Sequence, residues 1–192
     1  MRYGYLFVIS GPSAVGKTSI INEILKLDNS LKQVITCTTR PMRKTERQGI
    51  DYYFMSKKEF LTRERNGDFI EFSEVYGNYY GVMLSLIMDK VNNCENALLS
   101  VNWEGFAKVK KTIGQNVYGF FINPPSIQDL ELRIRSRGTD SREIINHRLS
   151  MAMEDMSHSN IFDFCVENRD ITTAANHILE QINIIKQTNE YH

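Results

Sequence analysis

Apolar residues fall along the chain in two alternating rhythms. Short runs at about residues 5–10, 33–38, 97–102, 116–122 and 163–167 are largely apolar and partly β-branched, and longer segments between them repeat apolar positions at helical spacing. Nearly uninterrupted apolar runs are the mark of strands buried on both faces, so the pattern predicts βα units around a parallel sheet, an α/β fold. The first helix is predicted from the glycine-rich turn after residue 10 to about Leu27, where Asp28-Asn29-Ser30 stops it. Ser56-Lys57-Lys58-Glu59 and Ser126-Ile127-Gln128-Asp129 each set a hydroxyl three residues ahead of a carboxylate and mark two further helix starts.

One interval breaks the rhythm. Roughly sixty residues separate the second and third strands, far more than an ordinary connection, and they hold apolar runs of their own around Tyr52-Tyr53-Phe54 and Phe69-Ile70-Glu71-Phe72. The expectation is an inserted subdomain of strands and a helix within a single 192-residue domain. With 42% hydrophobic and 24% charged residues the chain has the composition of a globular protein. Lys plus Arg equals Asp plus Glu at 23 each, so no global field draws nucleic acid or membrane and any anion site must be built locally. Cys37, Cys94 and Cys165 are odd in number and widely spaced, which predicts reduced thiols in a cytoplasmic protein. The opening apolar run is too short to span a bilayer.

Gly11-Pro12-Ser13-Ala14-Val15-Gly16-Lys17-Thr18 stands between the first strand and the first helix and matches GxxxxGK[ST]. Glycines let successive backbone N–H groups converge on phosphate oxygens, and the helix N-terminus adds positive potential. Lys17 reaches the terminal phosphates, and the Thr18 hydroxyl is a ligand for Mg²⁺ arriving with ATP. No Asn-Lys-x-Asp run is present, which argues against a GTPase. Downstream, Arg40 and Arg43 flank Pro41 at the exit of the second strand, where an extended backbone aims two guanidinium groups at one anion.

From here the chain resembles the guanylate kinases. The glycine loop, Thr38-Thr39-Arg40-Pro41-Met42-Arg43, Gly49-Ile50-Asp51-Tyr52, Phe69-Ile70-Glu71-Phe72, Gly77-Asn78-Tyr79-Tyr80-Gly81, Pro124-Pro125-Ser126 and Arg135-Ser136-Arg137-Gly138-Thr139 follow the family's order and spacing. The resemblance implies a P-loop sheet core (about 1–35, 95–136 and 149–192), a GMP-binding insertion (about 36–94) and a short helical lid (about 137–148). It implies ATP-dependent phosphorylation of GMP, and of dGMP, by a monomer or homodimer. The alternative is a weakened, non-catalytic module of the same family that holds phosphorylated ligands.

Carried over by position, Arg40, Arg43, Tyr52 and Tyr80 hold the GMP phosphate, Thr36 and Glu71 hold guanine, and Asn102 lies near the acceptor nucleotide. A carboxylate facing N1–H and the N2 amine would be left unpaired by adenine, a discrimination of a few kcal/mol. Arg133, Arg137 and Arg148 would stabilise the phosphoryl group in flight, with Arg137 and Asn168 also near the adenine; Arg135 and Arg142 match no ligand. Because the attacking oxygen belongs to a phosphate dianion, none of the four histidines is needed as a base.

The chain also departs from the pattern. Where the family usually carries two aspartates after the third strand, Ser100 and Asn102 stand, and Val82 replaces a hydroxyl residue. Two negative charges facing the nucleotides are missing, which predicts weakened Mg²⁺ dependence or slow turnover rather than lost binding.

Overall fold

The computed structural model describes residues 3–75, 77–136 and 142–188. It opens with β1 (Leu6–Ser10), whose five residues are all buried, and turns through the glycine loop into α1 (Lys17–Leu27). Three short strands follow, β2 (Lys32–Gln33), β3 (Cys37–Thr38) and β4 (Tyr53–Phe54), and then α2 (Lys57–Arg65). β5 (Phe69–Val75) and β6 (Asn78–Met83) pair before α3 (Leu84–Asn92). The remaining elements alternate: β7 (Ala97–Ser100), α4 (Trp103–Ile113), β8 (Val117–Asn123), α5 (Ile127–Arg135) and α6 (Arg142–Ser157). A single 3₁₀ turn (Ser159–Ile161), β9 (Phe164–Glu167) and α7 (Ile171–Thr188) complete the described chain.

Five strands form one parallel sheet in the order β2-β7-β1-β8-β9. Successive side chains point to opposite faces of a strand, and each face of this sheet has its own apolar core. Phe7 and Ile9 join Ile20, Ile21 and Ile24 of α1 and Ile178 and Ile182 of α7 on one side. Leu6 and Val8 join Ile87 and Val91 of α3 and Phe106 and Val109 of α4 on the other. Burial on both faces explains why these strands read as continuous apolar runs.

A second sheet has the order β4-β3-β6-β5. Its strands use their two faces differently. α2 covers one face, where Phe60 stacks on Phe69 at 4.3 Å and on Tyr79 at 5.3 Å between centroids. A side chain at Gly81 would come within 2.9 Å of both phenylalanine rings, so a close approach of helix to sheet requires glycine there. Pairing sets Thr38 opposite Tyr80 and Tyr80 opposite Ser73, and cross-strand partners share a face, which puts polar groups on the uncovered side.

Two expectations are corrected. The run 33–38 is not one strand: Lys32–Gln33 belongs to the parallel sheet and Cys37–Thr38 to the second sheet. Val34 N still bonds to Leu98 O before the chain leaves the first sheet, and no glycine or proline marks the crossing. The long interval from Cys37–Thr38 to Ala97–Ser100 holds two helices rather than one, and α3 buries Ile87 and Val91 against the parallel sheet. Both Ser56 and Ser126 cap their helices, accepting bonds from the N–H groups of Glu59 and Asp129. Among the described residues, no helix is long and apolar enough to cross a membrane.

Candidate active site

The glycine loop leaves the C-terminal end of β1, the edge at which α/β sheets bind ligands. Gly11 and Gly16 hold φ of 138° and 105°, and Ala14 also takes a left-handed conformation at 66°. Side chains at the two glycines would meet Ile122 O at 2.4 Å and Asn168 Nδ2 at 2.5 Å, so tertiary packing as well as backbone conformation selects glycine. Gly16 caps α1 without a side-chain acceptor, which leaves the first N–H groups of that helix for an anion. Lys17 Nζ donates to the carbonyls of Gly11 (2.6 Å) and Pro12 (2.9 Å), curling over the loop it would share with a phosphate.

The loop is braced from behind. Val15 O accepts from Asn168 Nδ2 at 2.7 Å and from Arg133 Nη1 at 3.2 Å, while Arg133 Nη2 donates to Asn168 O at 2.8 Å. Asn168 is 2% exposed, and its Oδ1 has no partner. Arg133 and Asn168 thus lie against the loop backbone. Arg137 falls outside the described residues.

Across the cleft, the second sheet aims its polar face at the loop. Thr38 Oγ1 donates to Tyr79 O and accepts from Arg40 N, and Thr39 Oγ1 accepts from Tyr79 N, so two hydroxyls fasten the exit of β3 to β6 and fix where Arg40 starts. The Arg40 guanidinium forks onto Glu46, Nη2 to Oε1 at 2.7 Å and Nη1 to Oε2 at 3.0 Å. It lies 5.6 Å from the Tyr52 ring centroid and 5.7 Å from that of Phe54. Glu46 also accepts from Arg43 N at 2.8 Å, while the Arg43 side chain stays exposed. The bond to Glu46 raises the Arg40 pKa, with Tyr80 adding to it, and burial raises that of Tyr52.

A cleft of about 900 Å³ joins the two halves. Ser13 and Thr18 line it from the loop, Thr36, Arg40, Arg43, Tyr52 and Tyr80 from the second sheet, and Ser100 and Arg148 from β7 and α6. Other expected residues lie elsewhere. Glu71 is 7% exposed, packed near Gly105 at the start of α4, and burial pushes its carboxyl up to about 7 against the pull of Lys108. Asn102 caps α4, its Oδ1 accepting from Gly105 N at 2.9 Å and its Nδ2 donating to Glu104 at 3.2 Å. Val82 is buried and pairs with Glu71. Sequence reasoning passed over Glu46, whose signal was an acid three residues after Arg43.

A glycine loop at the end of a parallel strand, facing a cluster of arginines and tyrosines across one cleft, defines a P-loop α/β protein. The guanylate kinase family model matches residues 3–184. A guanylate kinase of Carboxydothermus hydrogenoformans is 40% identical over 92% of this chain and 86% of its own, and that of Hydrogenovibrio crunogenus is 39% identical over 89% and 83%. The crystal structure of guanylate kinase from Anaplasma phagocytophilum superposes with a TM-score of 0.78 at 31% identity, over 95% of this chain and 86% of that one. A gluconokinase from Sinorhizobium meliloti, at 12% identity and a TM-score of 0.56, shares the fold. The chain belongs to the guanylate kinase family.

Proposed function

We propose that this protein transfers the γ-phosphoryl group of ATP to GMP or dGMP, forming ADP and the corresponding diphosphate. The observation that carries the reading is the cleft lined at once by Ser13 and Thr18 of the donor loop and by Arg40, Arg43, Tyr52 and Tyr80 of the second sheet. A phosphate oxygen of the acceptor attacks the γ-phosphorus as the bond to the ADP oxygen breaks. The acceptor is already a dianion, so the protein's task is to position two anions and neutralise them. Arg40, held by Glu46 and flanked by Tyr52, and Arg43 take the acceptor phosphate; Thr36 reads guanine from the cleft wall, and Glu71, buried beside the start of α4, reads it by turning toward the cleft when the nucleotide enters. Lys17 moves from Gly11 O and Pro12 O onto the donor phosphates, Arg137 and Arg148 spread the transferring charge, and Arg133 joins them by releasing one of its bonds to Val15 O and Asn168 O.

The residues present fit Mg²⁺ carried in on ATP. Thr18 and Ser100 offer oxygen donors, which a hard cation prefers, and among the described residues no three His, Cys, Asp or Glu side chains converge as a dedicated cage. Thr18 would hold the ion, which screens the triphosphate charge. The subdomain division given by the sequence, with residues 36–94 as the acceptor-binding insertion and 137–148 as the lid, belongs to this reading. So does a cytoplasmic setting, supported by Cys37, Cys94 and Cys165 as free thiols. ADP release measured with GMP, dGMP, AMP and UMP, with and without Mg²⁺, tests it: activity confined to the guanine nucleotides and dependent on the metal is the expected result. Equal turnover of AMP, or no turnover of any of the four, would overturn it.

A further inference from the structure

Among the described residues, no acid lines the donor side of the cleft. Of the carboxylates that line it, Glu46 and Asp51 belong to the acceptor side, and Glu46 is engaged by Arg40. Around the loop the lining groups are Ser13, Thr18, Ser100 and the cation Arg148. A divalent cation seated at Thr18 would therefore meet hydroxyls and positive charge, with phosphate as its main source of negative charge. Metal-bound water is normally oriented by an outer carboxylate.

An acid approaches from α6. Ile145, Arg148, Ala152 and Asp155 recur at spacings of three, four and three, which places them on one stripe of the helix. Ile145 and Ala152 are buried in the same apolar cluster as Val15 of the loop and Ile20 and Ile21 of α1, and Arg148 lines the cleft. The stripe thus faces the loop and the start of α1, and Asp155 lies on it one turn beyond Ala152. A second tie fixes the far end. His158 stacks on Trp103 at 3.7 Å and 15°, and Trp103 is three residues past Ser100. Asp155, half-buried, stands on the helix between Ala152, clustered with Val15 of the loop, and His158, stacked on Trp103.

We propose that Asp155 is the acid of the donor site: its carboxylate orients the water shell of the divalent cation that ATP brings to Thr18, supplying from α6 the charge that Ser100 cannot. The electrostatics agree. Burial pushes the Asp155 carboxyl up to about 6, Lys17 is the strongest charge drawing it back, Glu154 and Glu104 oppose ionisation, and His158 favours it. An acid that feels Lys17 above every other charge is placed to feel a cation at the neighbouring Thr18.

This inference rests on the phosphotransfer reading, and one titration separates the two. Mn²⁺ binding to the full chain saturated with a non-hydrolysable ATP analogue is followed by electron paramagnetic resonance, beside analogue binding in chelator. Asp155→Asn, close in size to the original, is expected to weaken Mn²⁺ roughly 10–100-fold while metal-free nucleotide affinity stays at the wild-type value. Adding Ser100→Asp to that variant is expected to restore most of the loss. Unchanged Mn²⁺ affinity in Asp155→Asn overturns the proposal, and so does a loss of equal size in chelator, which would make Asp155 a partner of Lys17 alone. Should Asp155→Asn fold poorly, Asp155→Glu serves: retained metal affinity supports the proposal and a collapse to metal-free affinity overturns it. A wild-type chain that binds no Mn²⁺ with the analogue removes the functional reading as well.

Discussion

Asn168 and Val15 are 153 residues apart in sequence and 2.7 Å apart in space, the amide of the first donating to the carbonyl of the second. Through this bond the strand at one edge of the sheet fixes the crest of a loop that begins at its centre. Arg133 donates to the same carbonyl, so the loop's shape depends on two distant elements and not on its glycines alone.

Asn168→Ala removes one brace and leaves a buried carbonyl with the longer Arg133 bond. Loss of a buried hydrogen bond costs about 1–3 kcal/mol. The expected outcome is a lower thermal midpoint together with a raised KM for ATP and an unchanged KM for GMP. An ATP KM equal to wild type would show that Asn168 does not hold the donor loop.

Glu46 holds the two arginines proposed to take the acceptor phosphate. It fixes both Arg40 nitrogens and the Arg43 backbone, and hydrogen bonds to charged groups contribute about 1.5–3 kcal/mol. Glu46→Gln is expected to raise the KM for GMP by roughly ten- to a hundredfold with little change for ATP, measured by steady-state kinetics. A change falling on ATP instead would contradict the assignment.

Glu71 predicts a pH dependence of opposite sign for binding and stability. Burial pushes its carboxyl up to about 7, whereas guanine's N1–H and N2 amine require an ionised acceptor. GMP affinity should therefore rise as pH increases through 7. Stability runs the other way: a folded pKa raised above the unfolded value contributes stability that is fully present below pH 4.5 and lost as pH rises through 7. Glu71→Gln should flatten both trends near 7. Calorimetry of GMP binding and thermal melts across pH 5–9 measure them, and an identical pH profile in the variant would exclude Glu71 as the titrating group.

Restoring acids at the exit of β7 tests the chain's departure from its relatives' usual pattern. Asn102 already caps α4 through Oδ1, and aspartate caps as well as asparagine, so Ser100→Asp with Asn102→Asp should fold. Tighter Mg²⁺ dependence and a faster turnover, by about tenfold or more, are expected from a carboxylate added beside the metal. Unchanged kinetics would overturn the expectation that the charges missing at 100 and 102 limit metal binding or turnover.

Gly81→Ala should cost about 1–3 kcal/mol by overpacking, since the added carbon meets Phe60 and Phe69 at 2.9 Å. Chemical denaturation measures it. Retained GMP binding in the surviving folded fraction would show that the covered face supports the second sheet without touching the nucleotide.

Local rules made much of this legible. The sequence determined the parallel core, because strands buried on both faces must be apolar throughout, and it located the donor loop, because GxxxxGK[ST] between strand and helix is itself a phosphate-binding geometry. Arg40 and Arg43 were readable from their spacing, and Ser56 and Ser126 from capping chemistry. Only the tertiary structure decided that residues 33–38 serve two sheets, since an apolar run carries no record of which partner each residue pairs with. It alone turned Asn102 into a helix cap, set Arg133 and Asn168 behind the loop, gave Arg40 its partner in Glu46, and brought Asp155 within the influence of Lys17. Periodicity records which face a residue turns toward, but distance across a fold depends on how faces pack, and that is settled among elements far apart in the chain.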